Sequence, residues 1–143
     1  IEDPNLRYYL KFYIHEQKFS DEYIAFDGDT SKRILYNGKS LPQKRHVSGT
    51  MFVFRGYFKV KMDQSKTDLS FQFGSSNYPC RIFCNGNLVY TLGSYKDQYT
   101  SRIRFSSSVM LPPSLLKYDT INELSIQIYQ RYNESTSLDK IFI

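Results

Sequence analysis

The residues able to perform nucleophilic, acid–base or metal chemistry are few and widely spaced in this chain. The two histidines are His15 and His46, and the two cysteines are Cys80 and Cys84. Neither histidine lies in a G-x-S-x-G elbow, in an H-E-x-x-H helix or at a ligand-like spacing from a cysteine. We therefore expect ordinary surface or half-buried histidines, no catalytic residue and no cofactor.

The two cysteines stand four residues apart in a stretch of alternating apolar residues. On a β-strand, Cys80 and Cys84 face the same side but lie ~13 Å apart, which exceeds the separation that a disulfide tolerates. We expect two small buried core residues. Metal ligation or redox chemistry is the alternative.

Acidic residues cluster in an early part of the chain, at Glu16, Asp21, Glu22, Asp27 and Asp29. Glycosidase chemistry requires an acid and a second carboxylate held ~5 to 9 Å apart across a cleft, and clustering in a loop does not indicate that arrangement. The sequence Asp27-Gly28-Asp29 predicts a plain turn, with a structural calcium ion as the alternative. Asn133-Glu134-Ser135 is a formal glycosylation sequon, and we expect it to be unused.

The strongest candidate for ligand contact is the polar stretch from Gly93 to Arg102. Two tyrosines there can stack on a sugar or another planar ligand, two cations can hold an anion, and Asp97 and Gln98 can bond to hydroxyl groups. The alternative is a long hairpin loop whose tyrosines pack on their own framework. The candidate ligand-binding residues are Tyr95, Lys96, Asp97, Tyr99 and Arg102.

Composition favours one all-β domain. The chain has 143 residues, with 13 Tyr, 11 Phe and no Trp, and aromatic side chains are enriched in strands. The net charge of +5 permits an acidic ligand without requiring one, and it disfavours nucleic-acid binding because no basic aromatic cluster is present. No apolar run is long enough for a transmembrane helix or a signal peptide. Because the chain begins at Ile1 without an initiator Met, we expect a fragment of a larger protein.

Short alternating segments separated by turn residues predict six to nine strands and therefore a β-sandwich or barrel. The positively charged pairs Lys59/Lys61 and Arg102/Arg104 alternate with apolar residues, which is typical of solvated strand faces. A single helical turn capped by Ser20 or Asp21 is predicted through Phe26, and the double proline Pro112-Pro113 predicts a rigid bend before Leu115 and Leu116 enter the core. The predicted strands are Leu6–Ile14, Met51–Lys61, Leu69–Phe73, Pro79–Cys84, Leu88–Leu92, Ser101–Phe105 and Glu123–Tyr132.

Three of these strands resemble a known pattern. The F-R-G-Y-F-K-V strand from Phe54, the L-S-F-Q-F strand from Leu69 and the strand ending in Asn85-Gly86 are similar to the non-catalytic jelly-roll domain of family 2 glycoside hydrolases. The Glu123–Ile128 segment resembles that family's closing strand. The resemblance implies a galactose-binding-like jelly-roll β-sandwich without catalytic residues, since the catalytic acids of that family belong to a separate barrel domain.

A second resemblance includes the N-terminal region. The segments Leu10–Ile14 and Gly38–Pro42 look like the opening of extracytoplasmic sensor domains that precede seven-helix membrane segments in bacterial signalling receptors. This resemblance implies an extracytoplasmic, membrane-tethered module that senses a carbohydrate or another small ligand, with transmembrane and cytoplasmic signalling modules in the same parent chain. The alternatives are an accessory sugar-binding domain of a family 2 hydrolase and a protein-interaction module without a small ligand.

Overall fold

A computed structural model describes residues 10–18, 20, 22–36, 50–62, 69–73, 80–92 and 107–130. These ranges contain eight β-strands and two short 3-10 helices, at Thr30–Lys32 and Pro113–Leu115. None of their helices is long and apolar enough to cross a membrane. The strands are β1 (Phe12–Lys18), β2 (Ile34–Leu35), β3 (Thr50–Lys59), β4 (Ser70–Phe73), β5 (Cys80–Cys84), β6 (Asn87–Leu92), β7 (Ser107–Met110) and β8 (Ile121–Gln130).

The strands form two antiparallel sheets. Six strands pair in the order β2-β1-β3-β8-β5-β6, and β4 pairs with β7 in a second sheet. The long strands β3 and β8 pair over their whole length, from Thr50 opposite Gln130 to Lys59 opposite Ile121. The expectation of an all-β sandwich is therefore confirmed.

The core lies between the two sheets. Period-2 alternation directs the even-numbered residues of β3, β5 and β8 to this inner face, where they meet apolar residues around β4 and β7. Burying each large apolar side chain stabilises the fold by about 1.5 to 3 kcal/mol. The cluster includes Phe52, Phe54, Phe58, Phe71, Cys80, Ile82, Cys84, Val109, Leu111, Leu124, Ile126 and Ile128.

The Asn85-Gly86 turn joins β5 to β6 as the sequence predicts. Asn85 has φ 50° and Gly86 has φ 85°, the positive values that a two-residue type I′ hairpin turn requires. Asn85 and glycine adopt this region at low cost, whereas most other residues are strained there.

The side chain of Asn85 also ties the hairpin to the end of β8. Its Nδ2 donates to the carbonyl oxygen of Leu115 over 2.8 Å and to Oδ1 of Asn122 over 2.9 Å. Its Oδ1 accepts the backbone N–H of Glu123 at 2.9 Å. Asn122 is itself buried and bonds to both backbone groups of Lys117. The turn is therefore a structural junction as well as a reversal of the chain.

Most predicted strands are present with small shifts, and some expectations are corrected. The first strand runs to Lys18 rather than ending at Ile14, and β7 was not expected. The helical turn through Phe26 is wrong: Ser20 Oγ accepts the N–H of Glu22 as a cap would, but residues 23–27 form no helix. Those residues instead lie against the sheet. The predicted strand Ser101–Phe105 lies outside the described residues.

The double-proline segment leads Leu115 and Leu116 to the core as predicted, and it also contains a 3-10 helix that was not predicted. Leu111 and Leu116 are buried, and Leu115 packs against the core. Between them, Pro113 begins a 3-10 helix in which the N–H of Leu115 donates to the carbonyl oxygen of Pro112. On the neighbouring strand end, Val60 is buried while Lys59 and Lys61 are exposed, so the expected solvated face is confirmed there.

Candidate functional site

The ligand loop predicted from the sequence is not part of the region that the structure describes. Residues 93–106 fall outside that region, so Tyr95, Lys96, Asp97, Tyr99 and Arg102 stay predictions. The described residues that bring polar groups together lie elsewhere, on the second face of the six-stranded sheet. We call this the outer face; it carries the odd-numbered residues of β1, β3, β5 and β8.

The outer face is covered at its centre by residues 22–27, which we call the covering segment. This segment contains no helix or strand. Its rings pack onto the sheet: Tyr23 lies 5.6 Å from Phe83, and Phe26 lies 5.4 Å from His15, measured between ring centroids. As a result Met51, Val53 and Arg55 of β3 are buried even though they face away from the core.

Arg55 forms the centre of a buried charged cluster. Its side chain is 1% exposed, and Nη1 lies 3.1 Å from Oε1 of Glu123 on the paired strand β8. The same nitrogen donates to the hydroxyl oxygen of Tyr23 over 3.2 Å, and Nη2 donates to the carbonyl oxygen of Ile24. Tyr23 in turn donates to Glu123 over 2.6 Å. Arginine, carboxylate and tyrosine thus form a closed triangle under the covering segment.

Gln127 fixes the covering segment at a second point. Its Oε1 accepts the backbone N–H of Ile24 at 2.8 Å, and its Nε2 donates to the carbonyl oxygen of Glu22 over 3.0 Å. The buried Gln127 side chain therefore bonds to the backbone groups of Glu22 and Ile24, which a neighbouring strand would pair with in a sheet. Arg55 and Gln127 together hold both backbone groups of Ile24.

The electrostatic environment favours neutral forms of the titratable residues around this cluster. Burial, followed by the hydrogen bond to Glu123, raises the pKa of Tyr23 above its usual value. Burial, followed by the positive charge of Arg55, lowers the pKa of His15 to about 4. At neutral pH the imidazole is therefore uncharged, and His15 is half-buried as expected from the sequence.

Among the residues that the structure describes, three buried polar atoms on the outer face have no hydrogen-bond partner: Nε2 of His15, Nε of Arg55 and Oγ of Ser125. Arg55 and Ser125 are directly opposite on β3 and β8, and His15 is on the neighbouring strand β1. Each such atom costs free energy. The cluster is enclosed and internally paired in its charges, which suits positioning of the covering segment better than contact with a ligand.

An accessible cluster lies beside the buried one. The guanidinium carbon of Arg33 is 4.5 Å from the ring centroid of Tyr13 and 5.1 Å from that of Tyr57. These rings lie on adjacent strands, 6.3 Å apart. All three side chains are partly exposed. This cation–π arrangement presents a positively charged group at the surface on a rigid aromatic base.

Of the other candidate residues, Cys80, Cys84 and Asp29 have structural environments, whereas His46, Asp21 and Asn133 lie outside the described residues. Cys80 and Cys84 are buried free thiols in the core, and burial raises the pKa of Cys84 to about 11, so it is a poor nucleophile. The Asp29 carboxylate accepts hydrogen bonds from the backbone N–H and hydroxyl of Ser31, which lower its pKa and cap the 3-10 helix. Within the described part of the chain, no three His, Cys, Asp or Glu side chains are grouped as a metal ion would require.

The buried Arg55 cluster was missed by sequence reasoning, although a signal was present. The run Met51-Phe52-Val53-Phe54 is apolar at every position, and continuous apolar runs are typical of strands buried on both faces. That pattern predicts a covered outer face and therefore a buried Arg55 in need of a counter-ion. No local pattern indicates that Glu123 and Tyr23, which are 100 residues apart, supply its partners.

Comparison with known proteins identifies the fold. No protein-family model matches the sequence, and no curated protein matches it. Solved structures of β-glucuronidase from Ruminococcus gnavus do match the structure. The complex with uronic isofagomine has a TM-score of 0.56 and 11% identity, and the match covers 96% of this chain and 27% of that chain.

Other β-glucuronidase structures from the same organism match to a similar extent. The complex with uronic deoxynojirimycin has a TM-score of 0.55 at 10% identity and covers 91% of this chain and 29% of that chain. A further structure has a TM-score of 0.51 at 15% identity, covering 90% and 22% respectively. At these identities the likeness shows the all-β sandwich fold, and this chain spans less than a third of the length of the enzymes that share it.

Proposed function

We propose that this chain is a non-catalytic, carbohydrate-binding-like module of a larger protein, equivalent to the accessory sugar-binding domain of a family 2 glycoside hydrolase. The fold likeness carries the proposal. It extends over 96% of this chain but over only 27% of the β-glucuronidase chain, which is the relationship expected between one module and a multi-domain enzyme. The accessory-domain alternative predicted from the sequence is therefore favoured over the sensor domain.

The chemistry of the described residues supports a non-catalytic role. Glu123 is held by Arg55 and Tyr23 at the covering segment, so its carboxylate is already engaged although its side chain is 19% exposed. A glycosidase needs two carboxylates that face one another across an open cleft. Glu123 has a neutral-form tyrosine and an arginine as its neighbours instead.

The sensor function and its signalling partners stay predictions. The β-glucuronidases that share the fold are enzymes rather than receptors. An extracytoplasmic location, with tethering to a membrane through the rest of the parent protein, is likewise a proposal that cell fractionation would test. The loop Gly93–Arg102 remains the proposed place for sugar contact.

A thermal-shift screen tests the proposed function. The 143-residue protein is heated in the presence of neutral and acidic mono- and oligosaccharides, and we expect a dose-dependent rise in Tm with at least one of them. Tyr95→Ala and Tyr99→Ala separate the loop from other sites, with Asn87→Ala, at an exposed residue that begins β6, as a control. Absence of any shift across the panel would rule out the sugar-binding part of the proposal.

A further inference from the structure

Two arginines that lie on the outer face, Arg55 and Arg33, differ in how their charge is satisfied. Arg55 is buried against Glu123. Arg33 is partly exposed, and within the described residues it has no ion pair with an Asp or Glu. Its contacts are the rings of Tyr13 and Tyr57 and one hydrogen bond from Nε to the carbonyl oxygen of Thr30, over 3.2 Å.

The position of Arg33 is fixed by three separate elements. Its backbone ends the 3-10 helix Thr30–Lys32, and the carbonyl oxygen of Thr30 accepts from both its backbone N–H and its Nε. The two rings beneath the guanidinium belong to the paired strands β1 and β3. Because Nε is already engaged, the two terminal nitrogens of the guanidinium are the groups that can donate hydrogen bonds to a ligand. An arginine whose fork is already oriented loses less entropy when it binds a planar anion.

We propose that Arg33, Tyr13 and Tyr57 form a binding site for a sugar acid, in which the guanidinium holds the carboxylate. Two parallel N–H···O bonds from a guanidinium match a carboxylate better than a hydroxyl group, so the site selects charged over neutral sugars. The apolar side of a sugar ring requires a neighbouring apolar surface. Leu35, which is 53% exposed and directly opposite Tyr13, supplies it on the same face.

This site contains no residue of the loop predicted from the sequence, which lies outside the described residues. Tyr57 pairs with Glu123 of β8. Leu92, the last residue of β6 before the loop, pairs with Cys80 of β5, and Cys80 pairs with Ile128 of β8. Glu123 and Ile128 are five residues apart along β8, or about 17 Å at the usual rise per residue of a strand, which separates Tyr57 from the start of the loop. The inference rests on the proposed sugar-binding function, but it does not depend on the Gly93–Arg102 loop.

Titration followed by NMR tests the site directly. The ¹⁵N-labelled protein is titrated with D-glucuronic acid and, separately, with D-glucose, at constant pH and ionic strength, while the Nε–H signal of Arg33 is observed. We expect a saturable shift of that signal with glucuronic acid only. Arg33→Met should weaken binding about tenfold or more, and Arg33→Lys, which keeps the charge but loses the fork, should have an intermediate effect.

Lys32→Met is the matched control, because it removes the same charge from the adjacent exposed residue. Its affinity for glucuronic acid should change by less than about twofold, since a solvated charge at longer range is screened. Equal losses in the Lys32 and Arg33 variants, or an unchanged affinity in Arg33→Met with an unchanged melting curve, would overturn the inference. Equal binding of glucose and glucuronic acid would overturn it while leaving the proposed function intact, whereas binding of no sugar would contradict both.

Discussion

Arg55 and Glu123 are diagonal neighbours on paired strands, with Nη1 and Oε1 3.1 Å apart and the arginine side chain almost wholly buried. Their interaction lies on the face of the sheet that is opposite the apolar core. It holds down a segment of irregular chain whose backbone would otherwise lack partners. The protein therefore has a second buried region, between the outer face of the six-stranded sheet and the covering segment, and this region is polar and depends on charge pairing.

Replacing Glu123 by Gln should lower the free energy of unfolding by about 3 kcal/mol, because Arg55 then remains buried without a counter-ion. Urea denaturation at neutral pH measures this. Glu22→Gln is the control, since that side chain is exposed and only its backbone carbonyl bonds to the sheet. A loss in Glu123→Gln no larger than in the control would mean that the ion pair does not stabilise the fold.

Replacing Gln127 by Leu should release the covering segment without unfolding the core. The leucine keeps the volume but cannot pair with the backbone of Glu22 and Ile24, so the amide of Ile24 should exchange with solvent much faster. Hydrogen exchange measured by NMR reports this amide individually. Unchanged protection at Ile24, with core amides such as that of Ile126 also unchanged, would show that the glutamine is not what holds the segment.

His15 should make the protein less stable as the pH falls from 6.5 to about 4. Its folded pKa is lowered to about 4 from 6.5, so over this window the unfolded chain binds a proton that the folded protein does not. The free energy of unfolding is therefore unaffected by His15 titration above pH 6.5, and it falls by about 2 kcal/mol as the pH is lowered towards 4. His15→Phe keeps a ring against Phe26 and removes the titration, so its unfolding free energy should depend less on pH. Parallel pH profiles of the two proteins would contradict the assignment.

Asn85 allows backbone and side-chain contributions to be separated. Asn85→Gly keeps the positive φ but removes three hydrogen bonds, and should cost about 2 to 3 kcal/mol. Asn85→Ala should cost about 1 kcal/mol more, because alanine is strained at that φ. Asn87→Ala, which removes one long exposed bond, should cost under about 0.5 kcal/mol. A loss in Asn85→Gly no larger than in Asn87→Ala would show that the three side-chain hydrogen bonds of Asn85 contribute nothing to stability.

The parts of the fold that follow local rules were predictable from the sequence. Alternation placed Cys80, Ile82 and Cys84 in the core, and Asn85-Gly86 predicted the hairpin that the structure contains. The strand Glu123–Tyr132 was also expected, and its described part, β8, lies between β3 and β5 in the large sheet. These features depend on the period of side-chain alternation and on turn conformation, which residues close in sequence determine.

The buried cluster was not predictable in the same way. Residues 22–27 have the polar and aromatic composition of a loop, and their place on the sheet is set by Arg55 and Gln127, which are distant in sequence. The covering of the outer face buries Arg55. The stacking of Arg33 on Tyr13 and Tyr57 likewise depends on the pairing of two strands, which no local pattern indicates.

The proposed function requires that the chain bind carbohydrate without transforming it. A time course of saturation-transfer NMR spectra, recorded on the 143-residue protein with 4-nitrophenyl β-D-glucuronide, tests both parts at once. We predict transfer of saturation to the sugar protons and an anomeric signal that keeps its intensity over many hours. Steady appearance of free glucuronic acid above the protein-free control, or the absence of any transfer to the sugar, would contradict the claim.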